Sequence, residues 1–165
     1  QMLLRVSHKT PIGQLHIIAD EHVVLASGFG DVENLIDRLD EIDRARVISK
    51  VSKIAKISDL VLDYFDGELN ALDSISVRQP GASFSQSAWK AMRKIKAGKV
   101  ISYADLAHRA GSPEAVRAAG SACAKNLIAP IIPCHRIVKS GGALGNYGYG
   151  LDSKEWLLRH EGFLQ

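Results

Sequence analysis

The stretch from Ile128 to Val138, IAPIIPCHRIV, carries the most specific pattern in this chain of 165 residues. It places Cys134, one of only two cysteines, between Pro133 and His135 in otherwise apolar surroundings. A cysteine attacks carbon only as the thiolate, which cationic or hydrogen-bond-donating neighbours favour. We therefore predict a rigid, half-buried nucleophile whose pKa is lowered by His135 and Arg136. An inert core thiol is the alternative that these residues alone leave open.

Cysteine content and hydropathy bound the class of protein. Two cysteines do not make a disulfide framework, which favours a reducing compartment. The sequence shows no basic patch followed by an apolar leader segment and no run of 18 apolar residues, so secretion and membrane insertion are not expected. We expect a cytoplasmic protein, or a nuclear one if the host is a eukaryote.

Charge is distributed unevenly, although the net charge is only +3. Residues 1–77 carry 8 basic against 13 acidic side chains, a balance of −5, whereas residues 83–139 carry 10 against two, a balance of +8. Clustered positive charge is expected of a protein that binds a phosphate backbone. A solvated charged face is the alternative.

The N-terminal part is predicted to form a small antiparallel sheet followed by helices. Turn residues separate three short runs of β-forming residues, which are Leu3 to Val6, Leu15 to Ala19 and Val23 to Ala26. Apolar residues then follow helical spacing from Val32 to Ile42 and from Ile54 to Phe65.

The domain boundary is predicted where the charge balance changes sign. Residues 78–82, with the sequence RQPGA, form the only stretch that resembles a linker. We therefore divide the chain into an α/β scaffold domain, residues 1–79, and a mostly helical domain, residues 80–165.

The second domain contains the pattern of a helix-turn-helix. Ser102 is a candidate N-cap for a helix over 103–110, and Gly111 is suited to end it. Ser112 and Pro113 are suited to begin a second helix, which we predict over 113–125. Two helices joined by a tight turn that contains glycine form this motif.

The exposed face of the second helix is nearly bare. It can approach a DNA groove closely but offers almost no donors or acceptors that distinguish base pairs. Arg117 is its one long side chain, and it either contacts a phosphate or inserts into the base stack. The small residues that we expect to contact DNA are Ala115, Val116, Ala118, Gly120 and Ser121.

Residues at fixed distances from Cys134 match a known family. Asn126 precedes Cys134 by eight residues, and Glu161 follows it by 27. With these residues the chain resembles the O6-alkylguanine-DNA alkyltransferases from about residue 84 to residue 162, and only loosely before that. The other matching residues are Tyr103, Arg117, Pro133 to Arg136, Gly145 to Tyr147 and Lys154 to His160.

The resemblance implies direct DNA repair, in which an alkylated guanine is flipped out of the duplex. The Cys134 thiolate would take the alkyl group from O6 of the base, and O4-alkylthymine is a possible second substrate. His135 would remove the thiol proton through a water molecule, with Glu161 orienting His135. The family assigns the Tyr103 hydroxyl and a backbone N–H near Gly148 to the charge that develops on the base.

The resemblance also implies supporting residues. Backbone carbonyls at Cys134 and Ile137 would recognise the amino group of guanine, and Asn126 would tie the helix to the active-site loop. The remaining residues of the implied substrate pocket are Tyr147, Gly148 and Tyr149. Tyr149 stands where several members have glycine, and it could narrow the pocket against bulky adducts or stack on them. Further implied DNA contacts are Tyr103 and Arg136.

Fold class, partners and turnover complete the prediction. The resemblance implies an α/β domain with a small antiparallel, RNase H-like sheet, and a helical domain that inserts its second helix into the minor groove. A monomer would bind double-stranded DNA without sequence preference, with no cofactor and no metal. Because a thioether is a poor leaving group and no second thiol is evident as acceptor, each molecule should act once. Cys123 is expected to serve packing.

Three other functions use the same features. A lesion sensor without repair activity would bind the same DNA. In such proteins another residue replaces the reactive cysteine, so the presence of Cys134 argues against this function. A transcription regulator could use the helix-turn-helix, although the bare helix cannot read an operator. A cysteine hydrolase would also use Cys134 and His135, and it would turn over without DNA.

Overall fold

A computed structural model describes residues 2–165 of the chain. The chain divides into two compact units. The first comprises the chain up to Pro80 together with Leu127–Ile131, and the second comprises Gly81–Asn126 and Ile132–Gln165.

A five-stranded mixed sheet forms the centre of the first unit. Its strands are β1 (Leu3–Thr10), β2 (Gly13–Asp20), β3 (Val23–Gly28), β4 (Ile48–Lys50) and β5 (Ser76–Val77). In the order β4-β1-β2-β3-β5, the three long strands pair antiparallel, whereas β4 pairs parallel to β1 and β5 parallel to β3. The predicted antiparallel pairing of the three long strands is confirmed, and two short strands that were not predicted extend the sheet by a parallel pair at each edge.

Short helices accompany this sheet. They are α1 (Val32–Arg38), α2 (Glu41–Arg44), α3 (Ile57–Phe65) and a 3-10 turn (Ala71–Ser74). The predicted helix over 32–42 is interrupted, because Leu39 has an extended backbone and Asp40 caps α2 by accepting a hydrogen bond from the Asp43 N–H at 2.8 Å. Ile42, the last residue of the predicted apolar spacing, is 79% exposed.

The segment Leu127–Ile131 belongs to the first unit although it lies late in the chain. The Ser27 N–H donates to the Leu127 carbonyl at 2.8 Å, and the Ala129 N–H donates back to the Ser27 carbonyl at 3.2 Å. The Ser27 hydroxyl donates to the Ala129 carbonyl at 2.8 Å. The predicted division at residue 79 assigned these residues to the second domain. Backbone pairing between residues about a hundred positions apart leaves no local sequence pattern from which their place could be predicted.

The second unit is mostly helical. Its elements are α4 (Ser83–Arg93), β6 (Ile101–Ser102), α5 (Tyr103–Arg109), α6 (Val116–Lys125), a 3-10 turn (Cys134–Arg136), β7 (Ile137–Val138) and α7 (Leu151–His160). Strands β6 and β7 pair parallel, with Ile101 opposite Ile137. This pairing holds the start of α5 beside the end of the cysteine turn.

The ends of α5 follow the predicted chemistry, whereas the start of α6 does not. The Ser102 hydroxyl accepts a hydrogen bond from the Asp105 N–H at 3.0 Å, and Gly111 has a φ of +96°, so the predicted cap and helix end are confirmed. Helix α6 begins at Val116 rather than Pro113. Ala115 has a non-helical ψ of 47°, and its N–H closes a separate turn on the Ser112 carbonyl at 2.9 Å.

Across residues 2–165, each helix is too short or too polar to cross a membrane.

Candidate active site

Cys134 occupies the first position of a 3-10 turn whose backbone is held on both sides. Its N–H donates to the Ile132 carbonyl at 2.9 Å, and the Ile137 that follows the turn lies in β7, paired with β6. The residue is 8% exposed. The side chain predicted to be half-buried is thus almost fully buried.

Glu161 joins His135 and Arg136 into one buried network. Its Oε2 accepts from His135 Nε2 and from Arg136 Nη2, each at 2.8 Å, and its Oε1 accepts from Arg136 Nε at 2.8 Å. The remaining Arg136 Nη1 donates to the Ile95 carbonyl at 2.7 Å. A bidentate arginine–carboxylate pair of this kind fixes both charge and direction.

This network determines which nitrogen of His135 can act as a base. Burial on its own raises the pKa of Glu161, but the hydrogen bonds from His135 and Arg136, together with the charge of Arg136, outweigh it, so the pKa lies well below its usual range. An ionised carboxylate only accepts hydrogen bonds, so His135 Nε2 must carry the proton. Burial lowers the pKa of His135, which keeps the ring neutral and leaves Nδ1 with its lone pair.

His135 Nδ1 is buried and lacks a hydrogen-bond partner within residues 2–165. An unsatisfied buried acceptor costs free energy, on the order of 1–3 kcal/mol, and calls for a functional explanation. A basic nitrogen on the residue next to Cys134 can receive a proton there.

The electrostatic setting of Cys134 differs from the sequence expectation. Burial raises the pKa of the thiol, and a hydrogen bond from the Asn126 amide and the charge of Lys154 offset only part of that. Arg136 does not supply the expected charge, because Glu161 and Ile95 take up its guanidinium. The predicted lowering of the Cys134 pKa by His135 and Arg136 is therefore wrong.

Lys154 is a functional residue that the sequence reasoning missed. Its side chain is completely buried, and Nζ donates to the Ile137 carbonyl at 2.7 Å and to the Asn146 carbonyl at 3.2 Å. Its charge favours the thiolate of Cys134. The signal was present in the sequence, because Lys154 shares the i, i+3, i+4, i+7 stripe of α7 with Leu157, Leu158 and Glu161.

Asn126 ends α6 and links it to the cysteine turn. Its N–H donates to the Cys123 carbonyl at 3.3 Å, and its Nδ2 donates to the Ile132 carbonyl at 2.8 Å. The Ile132 carbonyl also accepts from the Cys134 N–H. One side chain thus connects the helix end, the loop and the thiol, which is the position that the resemblance implies for it.

Tyr103 lies at the start of α5, against the loop that contains Gly145. A side chain at Gly145 would place its Cβ 2.9 Å from the Tyr103 hydroxyl, and the φ of +80° also favours glycine there. Burial, followed by the neighbouring Cys123 and Cys134, raises the pKa of Tyr103 to about 12. The hydroxyl therefore remains a hydrogen-bond donor at neutral pH.

The structure brings two of the expected pocket residues to His135. The Tyr147 ring packs edge-on against His135 with centroids 6.4 Å apart, and Tyr149 packs edge-on against Tyr147 at 5.8 Å. Ile137 is buried, with its carbonyl bound to Lys154, and Gly148 is exposed in the same loop. Tyr149 thus belongs to a row of edge-on aromatic contacts that begins at His135.

Helix α6 presents the predicted bare face. Val116, Arg117 and Ser121 are exposed, Ala115, Ala118 and Gly120 are half-buried, and the inner face packs through Ala119 and Ala122. Arg136 is different: it is only 3% exposed, with its donors directed at Glu161 and Ile95. The expected DNA contact by Arg136 is therefore wrong, because the protein interior already uses its guanidinium.

Cys123 is nearer to the reactive group than its expected packing role suggests. Burial, followed by the neighbouring Cys134, raises the pKa of its thiol strongly, and the charge of Lys154 lowers it only in part. The Cys123 and Cys134 thiols thus lie in a shared electrostatic environment, in which the charge of Lys154 lowers the pKa of each.

In the part of the chain that the structure describes, no three His, Cys, Asp or Glu side chains converge in a way that could hold a metal ion.

The fold and this site define a class of protein. The family model for the DNA-binding domain of 6-O-methylguanine DNA methyltransferase matches residues 83–163, which include Cys134, His135 and Glu161. The methylated-DNA–protein-cysteine methyltransferase of Shigella flexneri is 36% identical over 166 residues, covering 98% of this chain and 97% of the relative.

Solved structures agree over nearly the whole chain. The Mycobacterium tuberculosis O6-methylguanine methyltransferase superposes with a TM-score of 0.78 at 30% identity, covering 97% of this chain and 93% of the other. The structure of Mycobacterium tuberculosis OGT in complex with DNA gives 0.80 at 28% identity, covering 96% and 92%. The chain belongs to the methylated-DNA–protein-cysteine methyltransferase family.

Proposed function

We propose that this protein repairs O6-alkylguanine in duplex DNA by transferring the alkyl group irreversibly to Cys134. The observation that carries the proposal is the arrangement of Cys134, His135 and Glu161, in which an ionised carboxylate fixes the proton on Nε2 and leaves Nδ1 basic and buried. The proposal also rests on membership of the family, through relatives named for this reaction.

The transfer begins with loss of the thiol proton. His135 Nδ1 accepts it through a bridging water molecule, and Glu161 stabilises the imidazolium that results. Asn126 and Lys154 stabilise the thiolate, whose burial would otherwise disfavour it.

The displacement conserves atoms and charge. The thiolate attacks the alkyl carbon, a sulfur–carbon bond forms, and the carbon–O6 bond breaks with its electron pair going to the base. The proton released by the thiol is returned to the guanine. The Tyr103 hydroxyl, which stays protonated at neutral pH, donates toward the ring while the negative charge develops.

The cycle ends with the thioether. A thioether sulfur is a poor leaving group, and Cys123 is held protonated by burial, so it does not take the alkyl group onward. Each molecule is therefore consumed by one lesion.

Helices α5 and α6 are proposed as the helix-turn-helix that binds DNA. The small side chains of α6 suit a narrow minor groove, and they offer few groups that read sequence. Arg117, which is exposed on this helix, inserts where the flipped base has left the stack. Unstacking costs a few kcal/mol, and filling the gap offsets part of that cost.

The proposal also covers the roles of the two domains, the oligomeric state and the location of the protein. The first unit, with its mixed sheet, is proposed as the RNase H-like scaffold, and residues 80–165 are proposed to hold the DNA-binding and transfer functions. The protein is proposed to be a monomer that binds double-stranded DNA without cofactor or metal, in the cytoplasm or, in a eukaryotic host, in the nucleus.

Intact mass measurement tests the function. Incubation with a duplex that carries O6-methylguanine should add one methyl group per protein molecule, and peptide mapping should place it on Cys134. Cys134→Ser should bind the same duplex without gaining mass, and Cys123→Ser should react as the wild type does. Multiple turnover, or methylation at Cys123, would contradict the proposal.

A further inference from the structure

A basic cleft lies on the second unit, between helix α4 and the end of helix α5. Its volume is about 470 Å³, and its lining residues are Ser87, Lys90, Ala91, Lys94 and Arg109. None of these residues takes part in the chemistry at Cys134.

The cleft carries uncompensated positive charge. Lys90 and Lys94 are exposed, and neither forms an ion pair within residues 2–165. Arg109 pairs with Asp105 at 3.4 Å, but side chains that are 48% and 42% exposed form only a weak pair. An anion that enters the cleft can therefore recruit all three cations, and Ser87 adds a hydroxyl donor.

The cleft is a different surface from the bare face of α6. Successive residues turn by about 100° around a helix, so Ser87, Lys90 and Lys94 lie roughly 100–160° around α4 from Trp89. The Trp89 Nε1 donates to the Ala122 carbonyl of α6 at 3.0 Å, which fixes the flank of α4 that faces α6. Lys90 and Lys94 lie on the opposite flank of α4, beside Arg109.

Chain connectivity favours one anion over others. Arg109 is the last residue of α5, and only the turn over 110–115 separates it from the exposed start of α6. If α6 enters a groove, the phosphates that border this groove pass close to the turn. Three long cations and a hydroxyl are the groups that commonly contact such phosphates.

We propose that the α4–α5 cleft binds backbone phosphates of the same duplex that α6 enters. The proposal rests on the DNA repair function, and it adds a contact that carries no sequence information. Its role is to hold the duplex in register while the base is extruded, so that affinity does not depend on α6 alone.

The test compares two variants of equal charge. Binding of an undamaged duplex of about two helical turns is measured by fluorescence anisotropy at several salt concentrations, for wild type, Lys90→Gln/Lys94→Gln and Lys9→Gln/Lys50→Gln. Lys9 and Lys50 are exposed lysines of the first unit. The cleft variant should reduce the slope of log K against log salt by about 1.8, because each lost phosphate contact removes about 0.9.

Three results would overturn the proposal. The first is a slope of log K against log salt that is the same for the cleft variant as for the wild type. The second is an equal fall of the slope in the cleft variant and in the Lys9→Gln/Lys50→Gln control. The third is that the cleft binds a second duplex: the wild type would then bring two labelled duplexes together, while the slope for binding one duplex would be the same in the cleft variant. Methyl transfer by the wild type is measured in parallel. Failure of that transfer would refute the repair function, whereas normal transfer with an unchanged slope would refute only the cleft.

Discussion

Helix α6 and the turn Cys134–Arg136 follow each other in the chain, yet their side chains work in opposite environments. Helix α6 exposes Val116 and Arg117 to solvent, while each residue of the turn is buried. The surface function of α6 depends on the small and exposed side chains of the helix itself. The chemistry of the turn depends on partners from far along the chain, Ile95, Lys154 and Glu161.

The difference predicts how each region fails when it is changed. Substitutions in the buried network should affect stability and chemistry together, because each polar atom there has a specific partner. Substitutions on α6 should affect DNA handling and leave the chemical step intact.

Glu161→Gln should have the largest effect. The change leaves the Arg136 charge buried without its carboxylate, which costs about 3–5 kcal/mol of unfolding free energy. It also removes the group that orients the base, and a loss of about 100-fold or more in methyl transfer is expected. Urea unfolding and single-turnover transfer, measured on the same samples, check both.

The pH dependence of the same variant provides its control. The folded pKa of Glu161 is lowered, so its stabilising effect is present above its unfolded pKa and is lost as the pH falls toward the folded value. The stability gap between wild type and Glu161→Gln should therefore narrow as the pH is reduced below about 4.3. A gap that stays constant would show that the carboxylate is not ionised in the fold.

Lys154→Gln should slow transfer by roughly tenfold at neutral pH, because the thiolate loses a buried positive charge that favours it. Burial already raises this pKa, and Lys154 offsets part of the rise. The rate should increase with pH in both proteins, and the profile of the variant should be displaced to higher pH. Lys96→Gln, at an exposed lysine of the same unit, is the control and should leave the profile in place. A uniformly lower rate without displacement would indicate a purely structural role.

Arg117→Ala should slow transfer from duplex DNA by roughly fivefold, because the unstacked gap is no longer filled. Transfer from the free base O6-methylguanine, which needs no flipping, should change much less. The ratio of the two rates is the measurement. An equal loss on both substrates would place Arg117 in the chemistry and remove the contrast between α6 and the turn.

Ser102→Ala should have the smallest effect, a loss of about 1 kcal/mol in unfolding free energy through the N-cap of α5. Ser112→Ala is the matched control, because Ser112 was predicted to cap α6 and the helix begins at Val116 instead. The control should lose no more than a few tenths of a kcal/mol in urea unfolding. Equal losses would mean that the turn before α6 also depends on a serine side chain.

Much of the fold could be predicted where periodicity is long enough to detect. The three long strands and the helix beginning at Tyr103 follow from runs of β-forming residues and from the cap at Ser102. Strands β4 and β5 contain only three and two residues, and runs that short carry no detectable period. The return of Leu127–Ile131 to Ser27 depends on a pairing that no local pattern encodes.

For the site, the motif located the reacting residues but not their electrostatics. Its place beside Cys134 singled out His135, and the resemblance to the alkyltransferases implied Asn126 and Glu161; the structure brings these residues together. The charge of Arg136 was assigned to the thiol because the two are close in sequence, while the fold directs it to Glu161. Lys154 was missed because a lysine on an apolar helix face is ordinarily solvated, and only its carbonyl partners explain its burial.

The central claim is that a buried, ionised Glu161 fixes the proton of His135 on Nε2 and leaves Nδ1 free to accept the proton of Cys134. Nitrogen-15 NMR of the His135 ring in the unreacted protein tests this most directly, because it distinguishes the two neutral tautomers from the imidazolium. We predict a neutral ring protonated at Nε2 throughout the neutral pH range. A ring protonated at Nδ1, or at both nitrogens at neutral pH, would contradict the account.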